Sequence, residues 1–301
     1  MSLLVTGTIA IDSIKTPFGE QPECLGGSAT YFSVAASHFT PVRLVGAVGE
    51  DFPQEYLTIF EGRDIDTSGL EKRAGSKTFR WKGSYQGAMN EATTLETQLN
   101  ILNEAPPVIP ESSRDSECVF LANTAPAVQI QLLEQLTSPR LIVADTMNFW
   151  IENTRDDLEK LLQKVTALVL NDAEARMFTG QNNLIAAARA IVRMGLEFVV
   201  VKKGEHGTLL MTKNDECFVL PAYPTDTVKD PTGAGDSFAG GMMGFLDLQS
   251  DITLPTLKQA IAYGTVVASL VIEDFSLNRW QSAGRNDIDK RLNQLRAVIT
   301  F

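Results

Sequence analysis

The chain has 301 residues, 44% of them hydrophobic, with 26 Lys and Arg against 37 Asp and Glu and a formal charge of -11. That length and apolar content suit a sizeable core and rule out a disordered chain. The acidic balance excludes broad binding to nucleic acid or a polybasic membrane contact, both of which need clustered Lys and Arg, so any polyanionic ligand must be held by local groups.

In chain order, Leu3–Ile9, Val42–Val48, Cys118–Leu121, Leu141–Ala144, Ala167–Leu170 and Phe198–Lys202 are near-continuous apolar runs. Such runs predict parallel strands covered on both faces. Gly75–Asn100 breaks the rhythm: Lys77–Lys82 alternates polar and apolar residues, and Thr93–Leu99 does so more weakly. This predicts antiparallel strands with one solvated face. Together with Ile11–Phe18 they predict a small sheet outside the main one, a lid formed by about residues 11–19 and 75–100. Pro106, Pro107 and Pro110 mark a surface connection. Helical periodicity follows in Leu158, Leu161, Leu162 and Val165, opened by Asn153-Thr154, and in Ile288, Leu292, Leu295 and Ile299, entered through Asn286-Asp287. The alternation predicts an α/β fold, a doubly wound, mostly parallel sheet flanked by helices, in one domain over 1–301 with the small β lid.

Cys24, Cys118 and Cys217 are odd in number, far apart and form no C-x-x-C, and only His38 and His206 are present. This excludes a disulfide frame and a His-rich or zinc centre and points to a reducing compartment. The start, MSLLVTGTIAID, lacks a basic leader region, and no run is long enough to cross a bilayer. A cytoplasmic protein without membrane or nucleic-acid partners is expected.

The most informative segment is Asp230-Pro231-Thr232-Gly233-Ala234-Gly235-Asp236, followed by an apolar stretch with no charge until Asp247. Its natural geometry is a glycine turn feeding the N-terminus of a buried helix, where small residues let backbone N–H groups approach an anion and the helix dipole adds positive potential. Asp236, in the first turn, would then stand beside the anion, placed to accept a hydroxyl proton in phosphoryl transfer. An acidic residue in the first turn is also favourable by itself. Gly240, Gly241 and Gly244 require close packing, since each costs up to ~1 kcal/mol against Ala inside a helix.

Asp230 to Met243 resembles the C-terminal signature of the ribokinase (PfkB-type) carbohydrate kinases. The resemblance implies Asp236 as catalytic base and the amides of Gly233, Ala234 and Gly235 as the hole for the transferred phosphoryl group. It also implies Asp230 and Thr232 as the positions that hold K⁺ in cation-activated members. Gly26-Gly27-Ser28, before the apolar stretch Ala29–Phe39, is similar to the N-terminal signature, whose paired glycines line the acceptor pocket; Ser28 would also make a good helix cap. Tyr31 departs from the pattern, where many members carry Asn. Asp12, past the first strand, would bond acceptor hydroxyls by the same resemblance, although such a residue is also a common turn former. Asn171-Asp172-Ala173-Glu174 resembles the N-x-x-E element, with Asn171 on the nucleotide side and Glu174 acting on Mg²⁺ through water; the same spacing is a capping box, and both roles could hold at once. Lys202, Gly204 and Gly207 fall in the turn that the resemblance puts beside the nucleotide, and Asn278 in the region near adenine or ribose. Asp145–Asn148 also ends a strand, so its polar groups could face the acceptor, although a polar strand end is commonplace.

Gly69–Thr78 is a near miss to a Walker A loop, with the glycine spacing one residue too long and Ser76 between Gly75 and Lys77. No G-x-G-x-x-G follows the first strand, which disfavours a dinucleotide oxidoreductase. The function implied is ATP- and Mg²⁺-dependent phosphorylation of a hydroxyl, expected to be a primary alcohol, on a sugar or sugar-like acceptor. A nucleoside kinase is the rival within the class, with Tyr31, Phe18, Trp81, Phe149 and Trp150 as candidates for a base-stacking wall. A non-catalytic sensor of sugar or nucleotide is the rival outside it, and a phosphatase lacks the His or paired-Asp cluster it would need. The protruding lid offers a sheet edge that a second subunit could cover as a homodimer.

Overall fold

A computed structural model describes residues 3–300. The first half carries β1 (Leu3–Thr6), β2 (Ala10–Thr16), β3 (Gly19–Gly26), α1 (Ser28–Ala36), β4 (Val42–Gly49), α2 (Gln54–Glu61), β5 (Ile65–Arg73), β6 (Phe79–Tyr85) and β7 (Ala92–Gln98). A strict alternation follows with β8 (Cys118–Leu121), α3 (Pro126–Leu133), β9 (Leu141–Asp145), α4 (Asn148–Asn153), α5 (Arg155–Leu162), β10 (Ala167–Asn171), α6 (Asp172–Thr179), α7 (Leu184–Val192) and β11 (Phe198–Lys202). The hairpin β12 (Thr208–Thr212) and β13 (Cys217–Leu220) precedes α8 (Ala234–Asp247), α9 (Leu254–Val271) and α10 (Arg285–Ile299).

Nine strands form the main sheet in the order β13-β12-β11-β10-β9-β8-β1-β4-β5. The pairs from β11 through β5 are parallel, and only the β12 and β13 ladders are antiparallel. Alternate side chains of the parallel strands enter two separate cores. Leu3, Val5, Val169 and Val200 pack beneath α1, α8 and α9. Leu4, Leu168, Val199 and Val201 pack against α3, α5, α6 and α7. This two-sided burial is why these strands read as unbroken apolar runs. The glycines of α8 are used for close approach: a Cβ on Gly240 would lie 2.5 Å from Phe32 O, and one on Gly241 2.8 Å from Val267.

The predicted small sheet is present, with β3-β2-β6-β7 as its order. It consists of two antiparallel pairs, β2/β3 and β6/β7, joined through a parallel ladder between β2 and β6. It spans residues 10–26 and 79–98, wider at the first segment than the 11–19 expected, because Gly19–Gly26 returns as a strand. The half-solvated alternation expected for Thr93–Leu99 does not hold, since every residue of β7 is exposed on this outermost strand. Ser28 is not the helix cap either. Gly27 occupies that position, and the Ser28 hydroxyl instead accepts from Thr8 N–H at 3.2 Å and donates to Asn123 O at 3.3 Å. The near-miss segment Gly69–Thr78 lies in edge strand β5 and the turn after it.

Candidate active site

Five parallel strands end on one side of the sheet at Thr6, Leu121, Asp145, Asn171 and Lys202, and β1 sits where the chain order reverses between β8 and β4. That is the switch point at which open α/β sheets bind ligands. The glycine turn reaches this rim from the other side of the cleft. Asp230, 1% exposed, fixes its first corner: Oδ1 accepts from Thr232 N–H at 2.9 Å and Oδ2 from Ser276 N–H at 3.0 Å. Gly233 adopts φ +73 as the residue before α8, a left-handed conformation natural to glycine. A Cβ there would lie 2.3 Å from the Tyr31 ring, so the aromatic face of Tyr31 is the floor of the turn. Of the three amides expected to face an anion, that of Ala234 is spent, because it donates to Pro231 O at 3.1 Å as the turn tightens. Gly233 and Gly235 N–H make no backbone bond among the described residues.

Asp236 stands in the first turn of α8, partly accessible from the cleft. Opposite it, the Lys202 ammonium lies against Gly235, where an added Cβ would be 2.9 Å from Nζ, and 3.6 Å from Asp145 Oδ1. Asp145 Oδ1 is buried without a hydrogen bond. Burial first, then Asp145, pushes Asp236 up to about 7, with Lys202 opposing. Burial also raises Glu174 to about 7, with Lys202 lowering and Asp145 raising it. Burial alone would depress Lys202, but Asp145, Glu174 and Asp236 outweigh it and raise its pKa. Three carboxylates thus share one ammonium. Asn171 and Glu174 complete both halves of a capping box, each backbone N–H meeting the other side chain at 2.7 Å, and this leaves Glu174 Oε1 free of that role.

Asp12, expected to meet the acceptor, is 4% exposed in β2. Gly26 lets its carboxyl lie flat, since a Cβ there would be 1.9 Å from Asp12 Oδ2. Gly27, at φ +96, has no room for a side chain, Thr8 O being 2.4 Å from its Cβ position. Burial, then Asp230, pushes Asp12 up to about 8. Gly204 (φ +53) and Gly207 (φ +82) shape the turn after β11, and Asn90 from the small sheet donates to Glu205 Oε1 at 3.1 Å across it. Asn278, expected near adenine or ribose, is exposed, and its side-chain Oδ1 accepts from Gln281 Nε2 at 3.5 Å.

The candidate aromatic wall is also dispersed. Tyr31 lies under the glycine turn, the Trp81 indole covers Gly83, and Phe18 is 63% exposed on the β2–β3 hairpin. Phe149 and Trp150 remain together on α4, ring centroids 4.9 Å apart and nearly perpendicular, with Trp150 Nε1 donating to Asn123 Oδ1 at 2.9 Å. Asn123 was absent from the residues singled out in the sequence, and Asp145 was among them only as a strand end whose polar groups could face the acceptor. The signal available was position alone: Asp145 ends β9 and Asn123 follows β8. Two shallow surface depressions, near Arg189 and near Arg140, lie away from this rim and contain none of these residues.

A glycine turn at a helix N-terminus, a carboxylate in its first turn and an ammonium across from it, at the rim of a doubly wound sheet, are the arrangement that phosphoryl transfer needs. The chain belongs to the pfkB family of carbohydrate kinases, whose model matches residues 110–281, and it is a kinase of a sugar or nucleoside. It is 31% identical over 249 residues to a cytidine kinase of Thermococcus kodakarensis, covering 81% of this chain and 87% of that one. It is 24% identical to a nucleoside kinase of Thermoplasma acidophilum, over 98% of this chain and 91% of the relative. Among solved structures, the nucleoside kinase of Methanocaldococcus jannaschii superposes with a TM-score of 0.78 at 20% identity, over 97% of this chain and 98% of that one. An E. coli chain named ribokinase II, in complex with ATP and Mg²⁺, superposes at 0.80 and 16% identity, over 97% and 99%. No helix among the described residues is long and apolar enough to cross a membrane.

Proposed function

We propose that this kinase transfers the γ-phosphoryl group of ATP to a hydroxyl of a nucleoside, with Asp236 as the base. The observation that carries the reading is the placement of Asp236 and Lys202 on either side of Gly235. The acceptor oxygen attacks the γ-phosphorus, its proton passes to Asp236, and the bond to the β-phosphate oxygen breaks to release ADP. Gly233 and Gly235 N–H and the Lys202 ammonium stabilise the charge on the transferred oxygens. Asp12, in its glycine niche, orients the acceptor hydroxyls.

Mg²⁺ fits the carboxylate-rich rim. Asp145 Oδ1 is orphaned there and Glu174 is raised by burial, while no three-residue metal cluster exists among the described residues. Glu174, acting through water, and the donor phosphates would hold it, and it would neutralise phosphate charge. Asp230 and Thr232 would hold K⁺: burial above all, with Asp274 adding to it, raises the pKa of Asp230 against the bonds from Thr232 and Ser276, and a monovalent cation there would favour the ionised carboxylate.

A nucleoside is favoured over a free sugar by the cytidine and nucleoside kinases that align over most of the chain. The Phe149–Trp150 pair supports it, being tied through Asn123 and Ser28 to the paired glycines and offering a half-exposed ring for a base. Two buried thiols, Cys24 and Cys118, suit a cytoplasmic setting. The exposed edge of β7 is the surface a second subunit would cover in a homodimer. The test is ADP release with Mg²⁺ and ATP over cytidine, other nucleosides, ribose and polyols, with and without K⁺. Turnover with cytidine or another nucleoside, lost in Asp236→Asn, supports the reading; turnover with sugars alone refutes the acceptor class, and full activity of Asp236→Asn refutes the mechanism.

A further inference from the structure

The small sheet meets the main body through several polar contacts: Ser276 Oγ donates to Leu25 O at 2.6 Å, Arg80 pairs with Asp51 at 3.3 Å, and two more reach the turn after β11 and the glycine turn. Asn90, in the β6–β7 loop, reaches the turn after β11 through Glu205, with Gly204 close beneath it. Tyr85, the last residue of β6, meets the loop that leads into the glycine turn: Thr232 Oγ1 donates to Tyr85 OH at 3.2 Å across 147 positions of sequence. Both hydroxyl-bearing residues are buried, Tyr85 at 9% and Thr232 at 8% exposure. The Tyr85 ring is seated in an apolar knot of Ile14, Cys24 and Met89 from the small sheet side, with Val228 and Phe275 contributed by the main body. Thr232 has its own N–H held by Asp230, and the next residue, Gly233, rests on Tyr31.

We propose that Tyr85 is a positioning residue that braces the phosphoryl-binding turn from the small sheet. The proposal rests on the kinase reading above. Gly233 rests on the Tyr31 ring and the Thr232 N–H is held by Asp230, and both supports belong to the main body. The third support, Tyr85, comes from the small sheet. Amides that bind a developing charge act through fixed geometry, and the loss of one support from a glycine-containing turn loosens that geometry.

The experiment compares the full-length wild type with Tyr85→Phe, Thr232→Val, their double variant and Thr232→Ser. Expected is a fall in kcat of about tenfold in Tyr85→Phe, with acceptor KM changed less than about threefold, an equal fall in Thr232→Val, no further fall in the double variant, and rescue in Thr232→Ser. A residue that only stabilised the fold would lower the melting temperature without this non-additive kcat effect. Unchanged kcat in Tyr85→Phe, or additive losses, would overturn the proposal. Hydrogen exchange at residues 232–235, read without turnover, decides the same point independently: faster exchange there in Tyr85→Phe supports the brace, and unchanged exchange refutes it. A wild type that forms no ADP with any acceptor would sink the kinase reading, while the exchange result would still decide whether Tyr85 orders the turn.

Discussion

The Lys202 ammonium stands 3.6 Å from Asp145 Oδ1 and directly over Gly235. The pair is longer than a hydrogen bond, so the cation has a counter-charge but is not captured by it. Lys202 comes from the end of β11 and Asp145 from the end of β9, with Asn171 at the end of β10 between them. A cation held this way is ready to transfer to a phosphate. Lys202→Met is expected to raise the KM for ATP about tenfold or more and to lower kcat as well, since charge-assisted contacts to a phosphate are among the stronger ones. Lys202→Arg should restore only part of this, because a planar fork does not reproduce a point charge over one amide. Initial rates over a range of ATP concentrations decide it, and an unchanged KM in Lys202→Met would place the donor elsewhere.

As the proposed base, Asp236 would act only when ionised, so activity should depend on pH through it. Burial and Asp145 push it up to about 7, so kcat/KM is expected to rise from pH 6 to pH 8 and to fall roughly tenfold per unit well below the apparent pKa. Asp145→Asn removes a charge that raises the pKa. Its acid limb should therefore move to lower pH. A limb that stays in place, or moves up, would mean that Asp145 does not act on Asp236.

The parallel strands and the glycine turn were legible in the sequence because their causes are local. Two-sided burial makes Ala167–Leu170 an unbroken apolar run, and a turn that must approach an anion needs Gly233 and Gly235. What was not legible depends on contacts between distant segments. Asp145 looks like any polar strand end until β11 brings Lys202 across from it. Tyr85 lies in an alternating stretch whose pattern says nothing of Thr232. The Ser28 cap failed for the same reason, since Thr8 and Asn123 engage its hydroxyl. Strand β7 reads weakly because it has no covered face to impose a pattern.

Gly233 should be the least replaceable residue of the turn. An alanine there would combine a φ of +73 with a Cβ 2.3 Å from the Tyr31 ring. The backbone strain alone is about 1–2 kcal/mol, and overpacking adds about 1–3 kcal/mol. Gly233→Ala is expected to lower the melting temperature and abolish transfer together. Tyr31→Ala costs stability by its own cavity, but it should cost less in the Gly233→Ala background than in wild type, because the Cβ takes up part of the room, and it should not restore activity, because the strained φ remains. Calorimetry of the two single variants and the double variant tests this. A Gly233→Ala protein as stable as wild type would mean that Tyr31 does not floor the turn.

The same carboxylates make the ligand-free protein sensitive to alkaline pH. Asp12 is pushed up to about 8, first by burial and then by Asp230, while Asp236 and Glu174 are raised to about 7. Unfolded, each would titrate near 4. Between those limits the folded chain binds more protons than the unfolded one, so the stability slope with pH is negative. Stability from these groups is present below about 4 and is lost as pH rises through 7 to 8. The melting temperature without ATP is therefore expected to fall from pH 5.5 to pH 8.5. Asp12→Asn should flatten that fall, because an amide in the Gly26 niche carries no charge to desolvate. Saturating Mg²⁺ and ATP should offset the loss near Asp236 and Glu174 by binding only the folded state, but should not remove the Asp12 contribution. Thermal scans at three pH values, with and without Mg²⁺ and ATP, measure both effects. A wild-type melting temperature that climbs across this range would show that Asp12 is ionised and paired in the folded protein.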